Sequence, residues 1–249
     1  MSGHNRWSKI KRQKAAMGAT KGKLYSKVVK EITVSARLGG GDPTGNPRLR
    51  VALGLAREAN IPKDTVERAI KKGTGELEGE RYEEVMYEGY GPGGVAVLVE
   101  CVTDNRNRTS ADVRSTFGHH GGNLGAEGAV AWMFQKKGIV TVKPGPEEDA
   151  VLEKALEAGA EDVVPQGADG FEVRTAPVDL HTVATGLESG GLPVGEQKWA
   201  YLPQNTVQLD GDNAKKMLKL MDALEDNDDV QNVHANFEID ESLMESLSQ

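Results

Sequence analysis

The chain has 249 residues, of which 38% are hydrophobic, and a formal net charge of −8, which suits two or three compact units with separate cores. A single cysteine excludes an internal disulfide and a cysteine-based zinc site, and it fits a reducing compartment. The longest apolar run, residues 95–99, is far short of the roughly 20 residues of a membrane span, and the first residues lack the apolar stretch of a secretory signal. We therefore expect a cytoplasmic protein without a membrane partner.

Charge is distributed unevenly along the chain. Residues 1–75 contain 17 Lys or Arg and 5 Asp or Glu, whereas residues 76–249 contain 13 basic and 33 acidic residues. The first segment therefore carries an excess of 12 positive charges and the second an excess of 20 negative charges. A cationic segment on an anionic body is typical of a protein that contacts phosphates at one end and meets solvent or another protein at the other. This distribution predicts nucleic acid as a partner.

The segment begins with a basic arm. Residues 6–14 interleave five basic side chains with Trp7 and Ile10. Such a run can be a solvated tail, but an indole beside Lys and Arg can also stack on a base or pack on a neighbouring helix while the cations neutralise phosphates. We expect the arm to take part in binding.

Three helices are predicted after the arm. From Thr20, apolar residues at four-residue steps indicate the first helix, with lysines on its other faces. Asn46 and Pro47 are typical of the cap and first turn of a second helix. A third opens near Pro62 and ends at Gly73, interpreted as the glycine that follows a helix. Each helix has one apolar face to bury, so the cations are expected outside.

Beyond residue 75 the period changes from helical to extended. A strand is predicted at residues 82–87, a turn at 89–94, strands at 95–102 and 129–134, and a helix at 109–118. Residues 139–202 contain a complete βαββαβ pattern. After it come a strand at 206–209, a helix at 213–224 and a strand at 230–239, which are expected to complete the unit begun at residue 95.

These elements predict an α+β fold, with an N-terminal helical domain and two ferredoxin-like α/β domains, one inserted in the other. The expected insertion lies between the second and third strands of the host domain. The predicted domains are a basic helical domain (1–76), a discontinuous ferredoxin-like domain (77–136 and 204–240), an inserted ferredoxin-like domain (137–203) and a tail (241–249).

Several motifs that could suggest an enzyme have simpler explanations. The glycine spacing at 89, 91 and 94 matches a dinucleotide-binding motif, but it contains a proline and joins two strands, which indicates a hairpin turn. The histidines at 119 and 120 lack neighbouring metal ligands in the sequence. Cys101 lies in an apolar strand, where a thiol is usually inert. We therefore expect no catalytic residue, no metal, no cofactor and no small-molecule substrate.

Two polar stretches leave alternatives open. Residues 104–109 place two Arg and two Asn between a strand and a helix N-terminus, where they could bind an anion or form a capped turn with Asn107 or Thr109 as the cap. The acidic residues between 225 and 229 are interpreted as solvated charge, poorly placed at a helix C-terminus.

Five strings resemble the YebC/PmpR family in order and over essentially the whole chain: GHNRWSKIK (3–11), IPKDTVERAIKKG (61–73), YEGYGPGG (87–94), TDNRNRT (103–109) and GGNLG (121–125). One departure is Asn5-Arg6, where a Ser-Lys pair is commoner. The resemblance implies a cytoplasmic protein with a helical domain and two α/β domains, and a DNA-binding transcriptional regulator. It also implies a competing role, because family members, including a mitochondrial translational activator, are linked to the ribosome and to relief of stalling at proline-rich sequences.

We expect a nucleic-acid-binding regulator of gene expression that acts on DNA, with a translation factor that binds ribosomal RNA as the alternative. The acidic domains would face a protein partner or solvent. No helix rich in Asn, Gln and Arg stands out as a reader of base edges, and residues 39–45 are too glycine-rich for a tight helix-turn-helix. The candidate phosphate contacts are Lys9, Lys11, Arg12, Lys14, Lys21, Lys23, Lys27 and Lys30, with Arg48 and Arg50 as second choices.

Overall fold

The computed structural model describes residues 21–240 of the chain. These residues form two compact units, one made of residues 21–133 and 203–240 and the other of Phe134–Leu202. The first unit begins with helices, and both units contain antiparallel sheets. The predicted α+β class with a helical N-terminal region is therefore confirmed.

The helical segment consists of α1 (Lys21–Gly39), α2 (Pro47–Glu58) and α3 (Lys63–Thr74). Its start signals act as predicted at α2, where the Asn46 side chain accepts a hydrogen bond from the Leu49 backbone N–H and a proline occupies the first turn. One apolar face of each helix contributes to a shared core. Its fully or nearly fully buried members are Val28, Ile32, Leu49, Ala52, Ala56, Ile61 and Ala69.

Gly73 does not follow α3 as predicted but lies inside it. A β-carbon at Gly73 would come within 2.4 Å of the Thr33 carbonyl oxygen, so the glycine permits α1 and α3 to approach closely. The residue that ends the helix is Gly75, whose φ of 84° is left-handed. The sequence offered two glycines two positions apart, and helix packing decides which one is the cap.

The first unit also contains a four-stranded antiparallel sheet with two helices. The elements are β1 (Glu83–Gly91), β2 (Val95–Thr103), α4 (Arg106–His119), β3 (Asn123–Leu124), α7 (Gly211–Glu225) and β9 (Val230–Ala235). The strand order is β3-β1-β2-β9, and both helices contribute buried side chains to the core beneath the sheet. β1 and β2 form a hairpin, as predicted, but its turn is limited to Pro92–Gly94, because Gly89 and Gly91 of the glycine motif belong to β1.

Two strands predicted for this sheet differ in the structure. Residues 129–133 do not form a strand, because Ala131–Met133 is a 3₁₀ turn, and Phe134 begins β4 (Phe134–Val142) of the second unit. The predicted strand at 206–209 does not join the four-stranded sheet. It shortens to β8 (Val207–Gln208), which pairs in parallel with β10 (Phe237–Glu238) in a separate ladder.

The second unit has the element order βαββαβ that the sequence predicted. It contains β4 (Phe134–Val142), α5 (Glu148–Glu157), β5 (Asp162–Pro165), β6 (Phe171–Thr175), α6 (Leu180–Ser189) and β7 (Val194–Pro203). The strand order is β5-β6-β4-β7, and β4 and β5 each pair antiparallel with β6. Alternate β4 residues Val140 and Val142 pack against both helices of the unit.

The domain boundaries predicted at residues 76, 136 and 203 stay predictions. Helices of residues 21–75 and the four-stranded sheet have separate hydrophobic cores within one compact unit. In the part of the chain that the structure describes, no helix combines the length and apolar character needed to cross a membrane. The predicted tail, 241–249, lies outside the described residues.

Candidate nucleic-acid interface

Three of the predicted phosphate contacts lie on one face of α1 and contact the protein itself. Lys23 Nζ is 3.0 Å from the carbonyl oxygen of Asp226, and Lys27 Nζ is 2.6 Å from that of Glu225. One turn further along α1, Lys30 Nζ donates to the Asp228 carbonyl oxygen at 2.9 Å. The three ammonium groups thus meet the C-terminal end of α7 and the loop that follows it.

The position of these lysines has an electrostatic cause. The last carbonyl groups of a helix lack intrahelical partners and carry the negative end of its dipole, and acidic residues there make the position less favourable. α7 ends at Glu225 and is followed by acidic residues, with no basic residue in its last turn. Cations from α1 supply the charge that α7 lacks in its own sequence.

Asp229 is the centre of this contact. Its carboxylate accepts hydrogen bonds from Lys30 Nζ at 2.8 Å, from Arg108 Nη2 at 2.8 Å and from Thr109 Oγ1 at 2.7 Å. Burial raises the pKa of this carboxyl, but the hydrogen bonds from Arg108, Lys30 and Thr109 outweigh burial and lower the pKa to about 2. The interpretation of this acid as solvated charge is therefore wrong: its side chain is 7% exposed.

The polar loop between β2 and α4 is a capped turn. Asn105 caps α4, and its side chain accepts a hydrogen bond from the Arg108 backbone N–H at 3.0 Å, so the predicted caps Asn107 and Thr109 are wrong. The Arg108 guanidinium bridges Asp104 and Asp229. Arg106 is exposed and makes no ion pair with any side chain in residues 21–240. The anion-binding alternative therefore rests on Arg106 alone.

The second-choice arginines also have partners within the protein. Arg48 pairs with Glu31 at 2.6 Å and with Glu84 at 2.6 Å. Arg50 donates to the carbonyl oxygens of Pro43 and Thr44 and so holds the loop between α1 and α2. Of the remaining candidates, Lys9, Lys11, Arg12 and Lys14 lie outside the described residues, and Lys21 is the first residue of α1.

The structure adds cations that the sequence analysis did not select. Arg37, Arg57, Arg68 and Lys71 lie on the three helices with exposed side chains, and none of them pairs with an acidic side chain within residues 21–240. The signal was present in the sequence, because each of these residues lies outside the apolar stripe of its helix. Arg68 and Lys71 are three residues apart on α3 and line one shallow cleft of about 280 Å³ together with Asp64, Glu67 and Leu77.

A tight turn joins α2 to α3. Ala59 N–H donates to the Leu55 carbonyl and Ile61 N–H to the Ala56 carbonyl, and Asn60 adopts a left-handed φ of 55°. Four residues therefore separate two helices of twelve residues each. This connection, unlike the longer glycine-rich one between α1 and α2, has the length of a helix-turn-helix.

Side chains that could suggest catalysis or metal binding have structural roles. His119 Nδ1 lies 2.8 Å from the Ser115 carbonyl oxygen, one turn back in α4. Cys101 is buried as predicted, and burial raises the pKa of its thiol to about 12, which makes the thiolate inaccessible near neutral pH. Within residues 21–240, no three His, Cys, Asp or Glu side chains come together as metal ligands.

The fold and this surface define an α+β protein with a cation-rich helical segment joined to two antiparallel sheets. Two family descriptions match the chain, "TACO1/YebC protein N-terminal domain" over residues 5–76 and "TACO1/YebC second and third domain" over residues 82–237. The chain belongs to this TACO1/YebC family, which confirms the resemblance found in the sequence.

The similarity to individual relatives extends over nearly the full length of both chains. The chain is 75% identical to a "Probable transcriptional regulatory protein" of Myxococcus xanthus over 100% of both chains. It is 57% identical to a protein with the same description from Geobacter sulfurreducens, over 99% of this chain and 100% of the relative. A crystal structure of the conserved hypothetical protein Aq1575 from Aquifex aeolicus has a TM-score of 0.83 at 52% identity, and the match covers 90% of this chain and 92% of that one. The family is thus described as one of regulatory proteins.

Proposed function

We propose that this protein is a DNA-binding transcriptional regulator that acts in the cytoplasm and holds duplex DNA through its basic helical segment. The observation that carries the proposal is the excess of 12 positive charges in residues 1–75 against 20 negative charges in the remainder. An excess of this size attracts a polyanion and keeps it away from the acidic sheets. The proposal assigns the protein no catalytic step.

The phosphate contacts in this proposal fall into two groups. Lys9, Lys11, Arg12, Lys14 and Lys21 precede or begin α1, whereas Arg37, Arg57, Arg68 and Lys71 are the exposed cations of the helices. The other candidates, Lys23, Lys27, Lys30, Arg48 and Arg50, already contact protein atoms. A phosphate contact by any of these five would have to replace a contact that the side chain already makes, so we rank them second.

Ribosomal RNA is the alternative ligand, which the basic segment would bind by shape and charge with Trp7 or Tyr25 available for stacking. One contact of Tyr25 speaks against its part in that binding. Sequence-independent binding to unpaired RNA relies on exposed aromatic rings. Tyr25 is a candidate for such stacking, but its hydroxyl donates to Thr65 Oγ1 at 3.0 Å and its ring packs against the helical core. Trp7, the other candidate for stacking, lies outside the described residues. The description of the relatives as probable transcriptional regulatory proteins favours DNA, and we treat ribosomal RNA as an outcome of the test.

The test measures binding of a 30-base-pair duplex by fluorescence anisotropy as the salt concentration rises. If about six to ten phosphates are neutralised, affinity should fall by roughly 10³ to 10⁵ between 50 and 200 mM salt. Replacing Lys9, Lys11 and Arg12 together with Ala should weaken binding and flatten the salt dependence. The matched control replaces Lys215, Lys216 and Lys219, which are exposed on α7, and removes the same charge from the acidic part of the chain. Equal losses in both variants would contradict the proposal.

The choice between the two nucleic acids needs a measurement in cells. We would crosslink the protein in vivo, purify it under denaturing conditions and sequence the DNA and RNA that remain attached. Enrichment of discrete promoter DNA, lost in the Lys9, Lys11 and Arg12 variant, supports the regulator. Enrichment of one region of ribosomal RNA, with no enriched DNA, would replace it with the translation-factor alternative.

A further inference from the structure

Helix α5 of the second unit carries two apolar side chains that its own core does not use. Val151 and Ala155 are fully buried in the core of that unit. The residue after each of them, Leu152 and Leu156, is 43% and 60% exposed. Because the two leucines are four residues apart, they are neighbours on one side of the helix. Within residues 21–240, they are the only large exposed hydrophobic side chains one turn apart on a helix.

A row of acidic side chains runs beside the two leucines. Three of the acids follow each other at four-residue steps, and the fourth precedes Leu152 by the same step. All four are exposed, and none forms an ion pair with a side chain of residues 21–240. The two leucines and the four acids together are called the leucine–acid face below. The acids are Glu148, Asp149, Glu153 and Glu157.

These acids do not stabilise the helix that carries them. Like charges four residues apart repel each other, so the pairs 149–153 and 153–157 are unfavourable. Glu157 is also the last residue of α5, where the helix dipole disfavours an anion. Lys154, the one basic residue of α5, points elsewhere, because a β-carbon at Gly190 after α6 would lie 3.2 Å from its Cδ. A cationic partner would relieve the repulsion.

We propose that the leucine–acid face of α5 docks an amphipathic helix of another protein, whose apolar stripe covers the leucines and whose lysines and arginines meet Glu153 and Glu157. The leucines supply the apolar anchors that such a helix needs, and the acids set the sign of its charge. A second copy of this chain fits less well, because its α5 brings further acids and helices α1 to α3 bury their apolar stripes in their own core. The inference concerns a different surface from the nucleic-acid interface and does not depend on it.

The test measures binding of labelled peptides to the full-length protein by fluorescence anisotropy as the salt concentration rises. The probe is a designed peptide of about five helical turns with a leucine stripe flanked by lysines. A peptide of the same composition in scrambled order has no apolar stripe and controls for charge alone. We expect Leu152→Ser with Leu156→Ser to weaken binding of the probe by roughly 10- to 100-fold. Glu153→Gln with Glu157→Gln should weaken it at low salt and flatten its salt dependence.

Matched variants remove the same groups elsewhere in the second unit. Val178→Ser removes a valine that is 87% exposed, and Asp179→Asn with Glu188→Gln removes two exposed carboxylates at the two ends of α6. Neither variant should change binding of the probe. If the scrambled peptide binds as tightly as the probe, or if the leucine variant binds the probe as well as Val178→Ser does, the inference is overturned.

A photocrosslinking side chain at position 149, beside the leucines, identifies the partner in living cells. The crosslinked segment should be a basic amphipathic helix of another protein, and it should disappear in the variant without the two leucines. A segment of different chemistry, a segment from a second copy of this chain, or no segment at all would overturn the inference. Duplex binding by the leucine variant should equal that of the parent, which checks its folding and keeps this result separate from the DNA-binding function.

Discussion

Two helices of the basic segment, α1 and α3, are both rich in lysine and arginine, but they use their cations differently. The lysines at 23, 27 and 30 of α1 contact the acidic end of α7, whereas Arg68 and Lys71 of α3 have no acidic partner within residues 21–240. Basic residues are equally conspicuous in the sequence of both helices. The comparison teaches that a count of cations identifies a charged segment, and that the position of the acids decides which cations remain available.

The largest loss of stability is expected at Asp229, where the contact between α1 and the end of α7 is most buried. Asp229→Ala leaves Lys30, whose side chain is 14% exposed, and Arg108 without their shared acceptor. Because a buried charge without its partner is costly, the free energy of unfolding should fall by about 3 kcal/mol, measured by urea denaturation. Asp228→Ala is the matched control, since that side chain is exposed and only its backbone carbonyl takes part in the contact. Equal stability of the two variants would show that the charge cluster contributes little.

The same carboxylate should make stability depend on pH. The pKa of Asp229 is lowered to about 2 in the folded protein, compared with about 3.9 for an unfolded chain. A lowered pKa contributes stability that is complete above the unfolded value and is lost as pH falls toward the folded value. We expect Asp229→Asn to remove about 2 kcal/mol of stability at pH 6 and to make the remaining stability less dependent on pH between 4 and 2. Parallel pH profiles for the parent and the variant would contradict this account.

The turn that leads into α3 provides a smaller test. Asn60 has a φ of 55°, a region that costs most residues with a β-carbon roughly 1 kcal/mol. Asn60→Ala should therefore destabilise the protein by about 1 kcal/mol, whereas Asn60→Gly should be close to neutral. Thermal denaturation of both variants measures the difference. If alanine and glycine behave alike, the left-handed turn is not what positions α3.

The smallest effect is expected at α3 itself. Arg68→Ala removes an exposed side chain without an ion pair in the described chain, so the free energy of unfolding should change by less than about 0.5 kcal/mol. Lys30→Ala, in contrast, should cost more than 1 kcal/mol, because it leaves Asp229 short of one donor. Urea denaturation of the two variants side by side sharpens the distinction between structural and available cations. A loss above 1 kcal/mol for Arg68→Ala would remove that distinction.

Local patterns were sufficient to predict much of the fold. The cap formed by Asn46 and Pro47, the hairpin through Pro92–Gly94 and the βαββαβ order of the second unit follow from short-range signals. The local signals failed where contacts with distant parts of the chain determine the structure. Gly73 lies inside α3 because α1 packs closely against it at that position. The apolar residues before Phe134 suggested a strand, but Ala131–Met133 forms a 3₁₀ turn and the strand begins only at Phe134.

The candidate site was predicted less well, for the same reason. No local pattern reveals that Lys30 and Arg108 share Asp229, which lies 199 and 121 residues away along the chain. The turn at Asn60 could have been predicted from the sequence, because the apolar positions 56, 61, 66 and 69 lie on both sides of it. The glycine-rich loop at 39–45 is too long for a tight turn between helices, whereas only four residues connect α2 to α3.

The order of strands has a consequence for synthesis. β9 lies beside β2 in the four-stranded sheet, although 126 residues separate the ends of the two strands along the chain, and the second unit is translated in between. The second unit can therefore fold during synthesis as soon as residue 203 has left the ribosome. β2, in contrast, cannot complete its pairing until β9 has been synthesised near the end of the chain. Such long-range closure is slow and leaves an apolar strand edge uncovered in the meantime. We expect nascent chains that stop before residue 230 to need a chaperone for the first unit and not for the second.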